Sequence, residues 1–187
     1  MESLDDILLD VEEKMDKSAS FLQQELAGLR TGKASPSLVE NVQVEYYGAM
    51  TRLRELAGIS TPEARLIVIN PFDPSSREAI CRAILAANVG VTPMDDGRVI
   101  RIPIPELSEE RRKDLVKVAK RLTEEARIAI RNVRREANEM VKALQKSSTI
   151  TEDERDQGVE EVQKLTDTYT KKVDDLLTAR EKDIMAV

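Results

Sequence analysis

Residues 111–146 read RRKDLVKVAKRLTEEARIAIRNVRREANEMVKALQK, and this stretch decides the fold. On a wheel of 3.6 residues per turn, Leu115, Val118, Ala119, Leu122, Ala126, Ala129, Val133, Ala137, Met140 and Leu144 line up as one apolar stripe. Lys113, Lys117, Lys120, Arg127, Arg131, Arg134, Arg135 and Lys142 fall on the opposite side, interrupted only by Glu124. Glu125, Glu136 and Glu139 lie to one flank. A helix with a single apolar stripe must bury it, which leaves the basic stripe in solvent.

The charge of this helix is out of step with the rest of the chain. Residues 106–146 carry twelve Lys/Arg against eight Asp/Glu, whereas 1–30 carry three against eight and 147–187 six against eleven. Residues 31–105 balance at eight each, and the whole chain stands at −6. A solvated face laced by i,i+4 ion pairs is the ordinary explanation for such a helix. Here the signs are sorted to different sides in an otherwise acidic protein, a pattern that suits a face aimed at phosphates. Aromatics are only 3% and Trp is absent, so recognition would rest on phosphate charge and shape rather than base stacking.

Two further helices flank this one. Residues 2–30 keep an apolar 3–4 spacing through Leu8, Val11, Met15, Ser18, Leu22 and Leu29, helped by Leu4 and Leu26, until Gly32, Ser35 and Pro36 end the pattern. Thr151-Glu152-Asp153-Glu154 predicts a capping box, followed by a stripe of Val159, Val162, Thr166, Tyr169, Val173, Leu176 and Ile184. Ser108 before Glu109 and Glu110 suits the N-cap of the basic helix, and Ser147-Ser148 mark the turn after it. Three long single-stripe helices predict an elongated three-helix bundle, built from residues 1–30 and 106–187.

Residues 31–105 have a different character. Val42, Val44 and Tyr46 alternate with Gln43 and Glu45 as a half-buried strand, and Leu66–Ile69 is a short apolar run that reads as a buried strand. Asp73-Pro74 opens a helix through Ala83 and Leu85 that Gly90 ends, and Asp95-Asp96-Gly97 turns into a strand over Val99–Ile102. The class is therefore α+β, with a small β/α/β domain inserted between helices one and two. Two chain crossings, Arg30-Thr31-Gly32-Lys33 and Pro103-Ile104-Pro105-Glu106, join the parts and form a restrained hinge.

Several kinds of chemistry are excluded. With no His, the Ser-His-Asp and Cys-His systems and histidine-ligated zinc are ruled out. The lone Cys81 forms no internal disulfide, reads as a semi-buried helix residue, and points to a reducing compartment. Gly28-Leu29-Arg30-Thr31-Gly32-Lys33-Ala34 has three residues between its glycines where a nucleotide loop needs four, and Ala34 where Ser or Thr would hold magnesium. Adjacent acids such as Asp5-Asp6, Asp95-Asp96, Glu160-Glu161 and Asp174-Asp175 read mostly as solvated surface, since neighbours on a helix do not face each other. No metal site, cofactor, small-molecule substrate or membrane span is expected, and the acidic start lacks the features of a targeting peptide. These signs together predict a cytoplasmic protein that is not an enzyme.

Further segments carry a family resemblance. Arg30-Thr31-Gly32-Lys33-Ala34-Ser35-Pro36-Ser37-Leu38, Val44-Glu45-Tyr46-Tyr47-Gly48, Asn70-Pro71-Phe72-Asp73 and Ile102-Pro103-Ile104-Pro105 come first in order. Glu109-Glu110-Arg111-Arg112-Lys113-Asp114-Leu115 and Ala126-Arg127-Ile128-Ala129-Ile130-Arg131-Asn132-Val133-Arg134-Arg135 follow. Together they closely resemble the bacterial ribosome recycling factor family across essentially the whole chain. The resemblance implies an L-shaped monomer that binds the post-termination ribosome between its subunits, chiefly on large-subunit rRNA. With elongation factor G and GTP, it would split the ribosome so that mRNA and tRNA leave. It assigns rRNA contacts to Arg112, Arg131 and Arg134, supported by Lys113, Lys117, Arg127 and Arg135. It also implies that the small domain swings about the two crossings when the GTPase engages. A coiled-coil adaptor whose basic helix meets an acidic protein is the alternative reading.

Overall fold

The computed structural model describes residues 3–186. In chain order its elements are α1 (Leu4–Ala27), β1 (Gln43–Tyr46), β2 (Ala49–Arg52), α2 (Leu53–Leu56), β3 (Ala57–Glu63), β4 (Leu66–Pro71), α3 (Arg77–Ala86), β5 (Met94–Asp95), β6 (Ile100–Pro103), α4 (Glu109–Lys146) and α5 (Glu152–Met185). The chain divides into two compact units. One comprises the residues up to Thr31 with those from Glu109 on, and the other is Gly32–Ser108.

The first unit packs α1, α4 and α5 into a bundle. Ser3 starts α1 by accepting the Asp6 N–H at 3.1 Å, with Asp5 and Asp6 at the positive end of the helix dipole. The helix ends at Ala27, three residues earlier than its spacing predicts, with Gly28 as cap. It buries Ile7, Val11, Met15, Ala19, Leu22 and Leu26, so Leu8 and Ser18 give way to their neighbours and remain half-buried. Each large side chain hidden this way contributes about 1.5–3 kcal/mol over leaving it wet. α5 begins with the predicted capping box: Thr151 Oγ1 accepts from Glu154 N at 3.2 Å and Glu154 Oε2 from Thr151 N at 2.7 Å.

α4 buries Leu115, Ala119, Ala126 and Ala137 of the expected stripe, but the buried face as a whole is turned from it. Leu115, Ala119, Thr123, Ala126, Ile130, Ala137 and Val141 are buried, whereas Val118, Leu122, Ala129, Val133 and Leu144 are half-buried and Met140 is exposed. At 3.6 residues per turn the buried face is rotated about 50° from the expected one, towards Arg112, Arg127 and Arg134. Leu122, Ala129 and Val133 instead line an open groove beside Lys17 and Phe21 of α1. Thr123 can be buried because its hydroxyl donates to the Ala119 carbonyl at 2.8 Å. Gly158 on α5 is buried too: a Cβ there would stand 2.7 Å from Leu4 Cδ1, so its lack of a side chain lets the start of α1 approach.

The second unit holds a four-stranded antiparallel sheet of order β3-β4-β6-β5 and a separate β1-β2 hairpin. Central β4 alternates, with Ile67 and Ile69 fully buried and Leu66 and Val68 half-buried, so it has one core face and one partly covered face. Their core partners are Val44, Leu53, Ile80, Ile84, Ile100 and Ile102. The helix predicted from Asp73-Pro74 first makes a 3-10 turn over Pro74–Ser76 and becomes α-helical only at Arg77. Among the described residues β2, α2, β3 and β5 are additions to the predicted elements. Pro62 and the polar Ser60–Glu63 stretch hide β3, which carries a register shift between Ser60 and Glu63.

Candidate nucleic-acid interface

α4 has the highest concentration of cationic side chains in the chain, and its bonding pattern separates them into two groups. Arg127 belongs to the first. Its Nε and Nη2 donate to Asp174 Oδ1 on α5 at 2.8 and 2.6 Å, and its Nη1 to Glu124 Oε2 at 3.1 Å. The Asp174 bond, ahead of that to Glu124, holds the guanidinium pKa above its usual value. Arg131 Nη2 donates to the other oxygen of Glu124. Hydrogen bonds from Arg127 and then Arg131 lower the Glu124 pKa and keep it ionised. The single acid on the basic stripe is therefore clamped between two arginines.

The remaining cations are less committed. Lys113 forms an exposed i,i+4 pair with Glu109 at 2.9 Å, and Arg135 Nη2 donates to Asn132 Oδ1 at 2.9 Å. Solvent screens the first pair and the second has a neutral acceptor, so both cations exchange readily to a phosphate. Lys117 and Lys142 point outward from the exposed face. Arg134 is half-buried on the flank towards α5 and lines an open groove with Arg131, Arg135, Asn138, Lys142 and Gln163. Asn138 Oδ1 in that groove is buried without a hydrogen-bond partner.

Arg112 differs from the other predicted contacts. It falls on the angular position of the buried face near the start of α4, is half-buried, and keeps its Nε buried without a partner. The predicted hinge residues are also resolved. Arg30 and Lys33 are exposed, and Gly32 takes φ +75, in the left-handed region that favours glycine. Pro103 closes β6 opposite Leu66, Ile104 N donates to the Arg65 carbonyl at 2.8 Å, and Pro105 is exposed. Gly28–Ala34 follows a helix rather than a strand, the wrong setting for a nucleotide loop. Among the described residues no group of three or more Cys, Asp or Glu is placed to hold a metal ion. No helix among them is long and apolar enough to cross a membrane.

Periodicity could not reveal the Arg127–Asp174 pair, whose members lie 47 residues apart, nor the part of Asn138 and Gln163 in the groove. Such partners depend on how two helices meet.

The ribosome recycling factor family model matches residues 22–185. The chain belongs to the ribosome recycling factor family. The ribosome-recycling factor of Bacillus subtilis strain 168 is 52% identical over 182 residues, which is 97% of this chain and 98% of that protein. That of Natranaerobius thermophilus is 49% identical, with the same coverage of 97% and 98%. A solution structure of a ribosome recycling factor superposes with a TM-score of 0.82 at 43% identity, covering 100% of both chains. A second structure, with a TM-score of 0.66 and 40% identity over 98% of this chain and 100% of that one, models the T. thermophilus factor. It places that factor with E. coli elongation factor G on the E. coli post-termination complex. Family membership makes this chain a non-enzymatic translation factor that serves ribosome recycling.

Proposed function

We propose that this protein binds the post-termination ribosome through α4 and, with elongation factor G and GTP, splits it into subunits at the end of translation in the cytoplasm. The observation that carries the reading is the sorted cationic face of α4, on which Lys117, Arg134 and Lys142 are available to phosphate. Arg135 joins them by exchanging its neutral Asn132 partner, Arg131 joins by displacing Glu124, and Lys113 extends the face towards the start of the helix. An A-form backbone read by charge and shape suits a face without aromatic rings. Arg127 acts mainly as a brace between α4 and α5, and Arg112 contributes from a half-buried position. The protein works as a monomer and has no GTP chemistry of its own.

The bundle unit anchors and the inserted unit moves. A domain joined by two short crossings transmits a motor's stroke as a rigid-body rotation. The two crossings, Arg30–Lys33 and the one that follows β6, are the segments about which that rotation takes place. Sedimentation with purified large subunits across a salt series tests the anchoring, and light scattering of ribosomes with and without elongation factor G and GTP tests the splitting. Binding indifferent to salt would refute the phosphate-facing role of α4. Capture of an acidic protein in place of ribosomes would support a coiled-coil adaptor instead.

A further inference from the structure

Arg180 interrupts the apolar stripe of α5, four residues from both Leu176 and Ile184, and reaches to the end of α1. Its Nη2 donates to the Ala27 carbonyl at 3.3 Å and, more closely, to that of Leu29, while its Nε is buried without a partner. Burial lowers its pKa from the ordinary guanidinium value. The end of α1 has need of such a cation. The last carbonyls of a helix lack partners within it and carry the negative end of its dipole. The last turn of α1 contains no basic residue, and its cap Gly28 is right-handed rather than in the left-handed closing conformation. The missing charge comes from another helix.

Beyond this clamp the chain is tied to the other unit. Ala34 N donates to the Ala64 carbonyl at 2.7 Å. In the second crossing Ile104 N is bonded to Arg65 O at 2.8 Å, and Arg65 pairs with Glu106 at 3.2 Å. The Leu107 side chain lies against Gly32, 3.5 Å from where a Cβ would stand. Between these anchors the first crossing runs from Arg30 to Lys33. The second runs from Leu107 to the start of α4 at Glu109.

We infer that Arg180 is a positioning residue for ribosome splitting: by holding Ala27 and Leu29 it fixes the root of the first crossing and confines the pivot to Arg30–Lys33. This rests on the hinged function proposed above. It also moves the second pivot past Pro103–Pro105, which are bound into the inserted unit, to Leu107–Glu109. Without the clamp the last turn of α1 frays, and part of an applied rotation is absorbed in the bundle.

Arg180→Met keeps the length and apolar stem but removes every donor, and Arg180→Lys returns the charge with one donor group. In the free protein, the Gly28 and Leu29 amides should exchange about tenfold faster in Arg180→Met. Amides in the middle of α1 should be unchanged, and Arg180→Lys should recover part of the protection. Splitting with elongation factor G and GTP should slow several-fold while affinity for large subunits holds. Unchanged exchange at Gly28 and Leu29 overturns the inference, as does faster exchange with wild-type splitting. So does a parallel loss of affinity and splitting with faster exchange throughout the bundle, which makes Arg180 a general support of the fold. If the wild-type protein itself fails to split ribosomes, the functional reading falls, while the exchange data still report whether Arg180 caps α1.

Discussion

Arg127 and Arg134 lie two turns apart on nearly the same side of α4, and replacing each by Ala should produce opposite phenotypes. Arg127→Ala removes the two bonds to Asp174 and the one to Glu124. Its side chain is 31% exposed and that of Asp174 48%, so solvent screens the pair. With loss of stem packing, the cost should be about 1–1.5 kcal/mol of stability. In a chain of this size that lowers Tm by about 2–6 °C. Arg134 is braced by no such pair, so Arg134→Ala should change stability by about 0.5 kcal/mol or less. Losing one charge-assisted phosphate contact should cost about 1.5–3 kcal/mol of binding, which raises Kd about 10- to 150-fold. Thermal melts and sedimentation with large subunits at several KCl concentrations separate the two effects. The slope of log affinity against log salt should flatten by about 0.7–0.9 for Arg134→Ala. If Arg127→Ala loses affinity as strongly as Arg134→Ala and melts normally, the brace opens on the ribosome, and the division of roles is refuted.

Other perturbations test the scaffold. Asp96 accepts from Val99 N, Arg98 N and Arg101 Nε, which hold its pKa down at about 2. Because the folded value lies below the unfolded one of about 3.9, its contribution is complete above the unfolded value and fades as pH falls through about 2. Carboxyl NMR titration should find that midpoint, and a midpoint near 4 would dispose of the turn network. Gly158→Leu should destabilise the bundle by about 2 kcal/mol or more in urea melts, because its side chain would have to displace Leu4 and Val141. Thr151→Ala should cost about 1 kcal/mol through loss of the capping box, again read from urea melts, and a neutral result would show that α5 is held by packing alone.

The long helices were legible because their signals are local. The Thr151 box names the start of α5, and the Ser147-Ser148 turn separates it from α4, with Ser148 at φ +56. The rotation of the buried stripe on α4 was not legible. Val118, Leu122, Ala129 and Val133 on one side of Leu115, Ala119 and Ala126, and Thr123, Ile130 and Val141 on the other, both extend a helical stripe, and only the positions of α1 and α5 decide between the two sides. That rotation moved Arg127 and Arg134 from the open face to the flank, and it separated brace from contact. In the inserted unit, alternation exposed β1, and the run Leu66–Ile69 exposed β4. β2 and β3 were hidden because their stability comes from partners in the sheet rather than from their own residues.

Glu124 accepts from both Arg127 and Arg131, so it holds donors that a phosphate oxygen would otherwise take. Being tethered, it competes without the loss of translational freedom that a dissolved anion must undergo. A free nucleotide offers a few charges at one point and gains little by displacing it. A folded RNA offers many at fixed spacing, so contacts with Lys117 and Arg135 on the same face offset the displacement. If α4 meets rRNA as proposed, this carboxylate would act as a filter of valency, favouring a polyanion over small phosphate compounds.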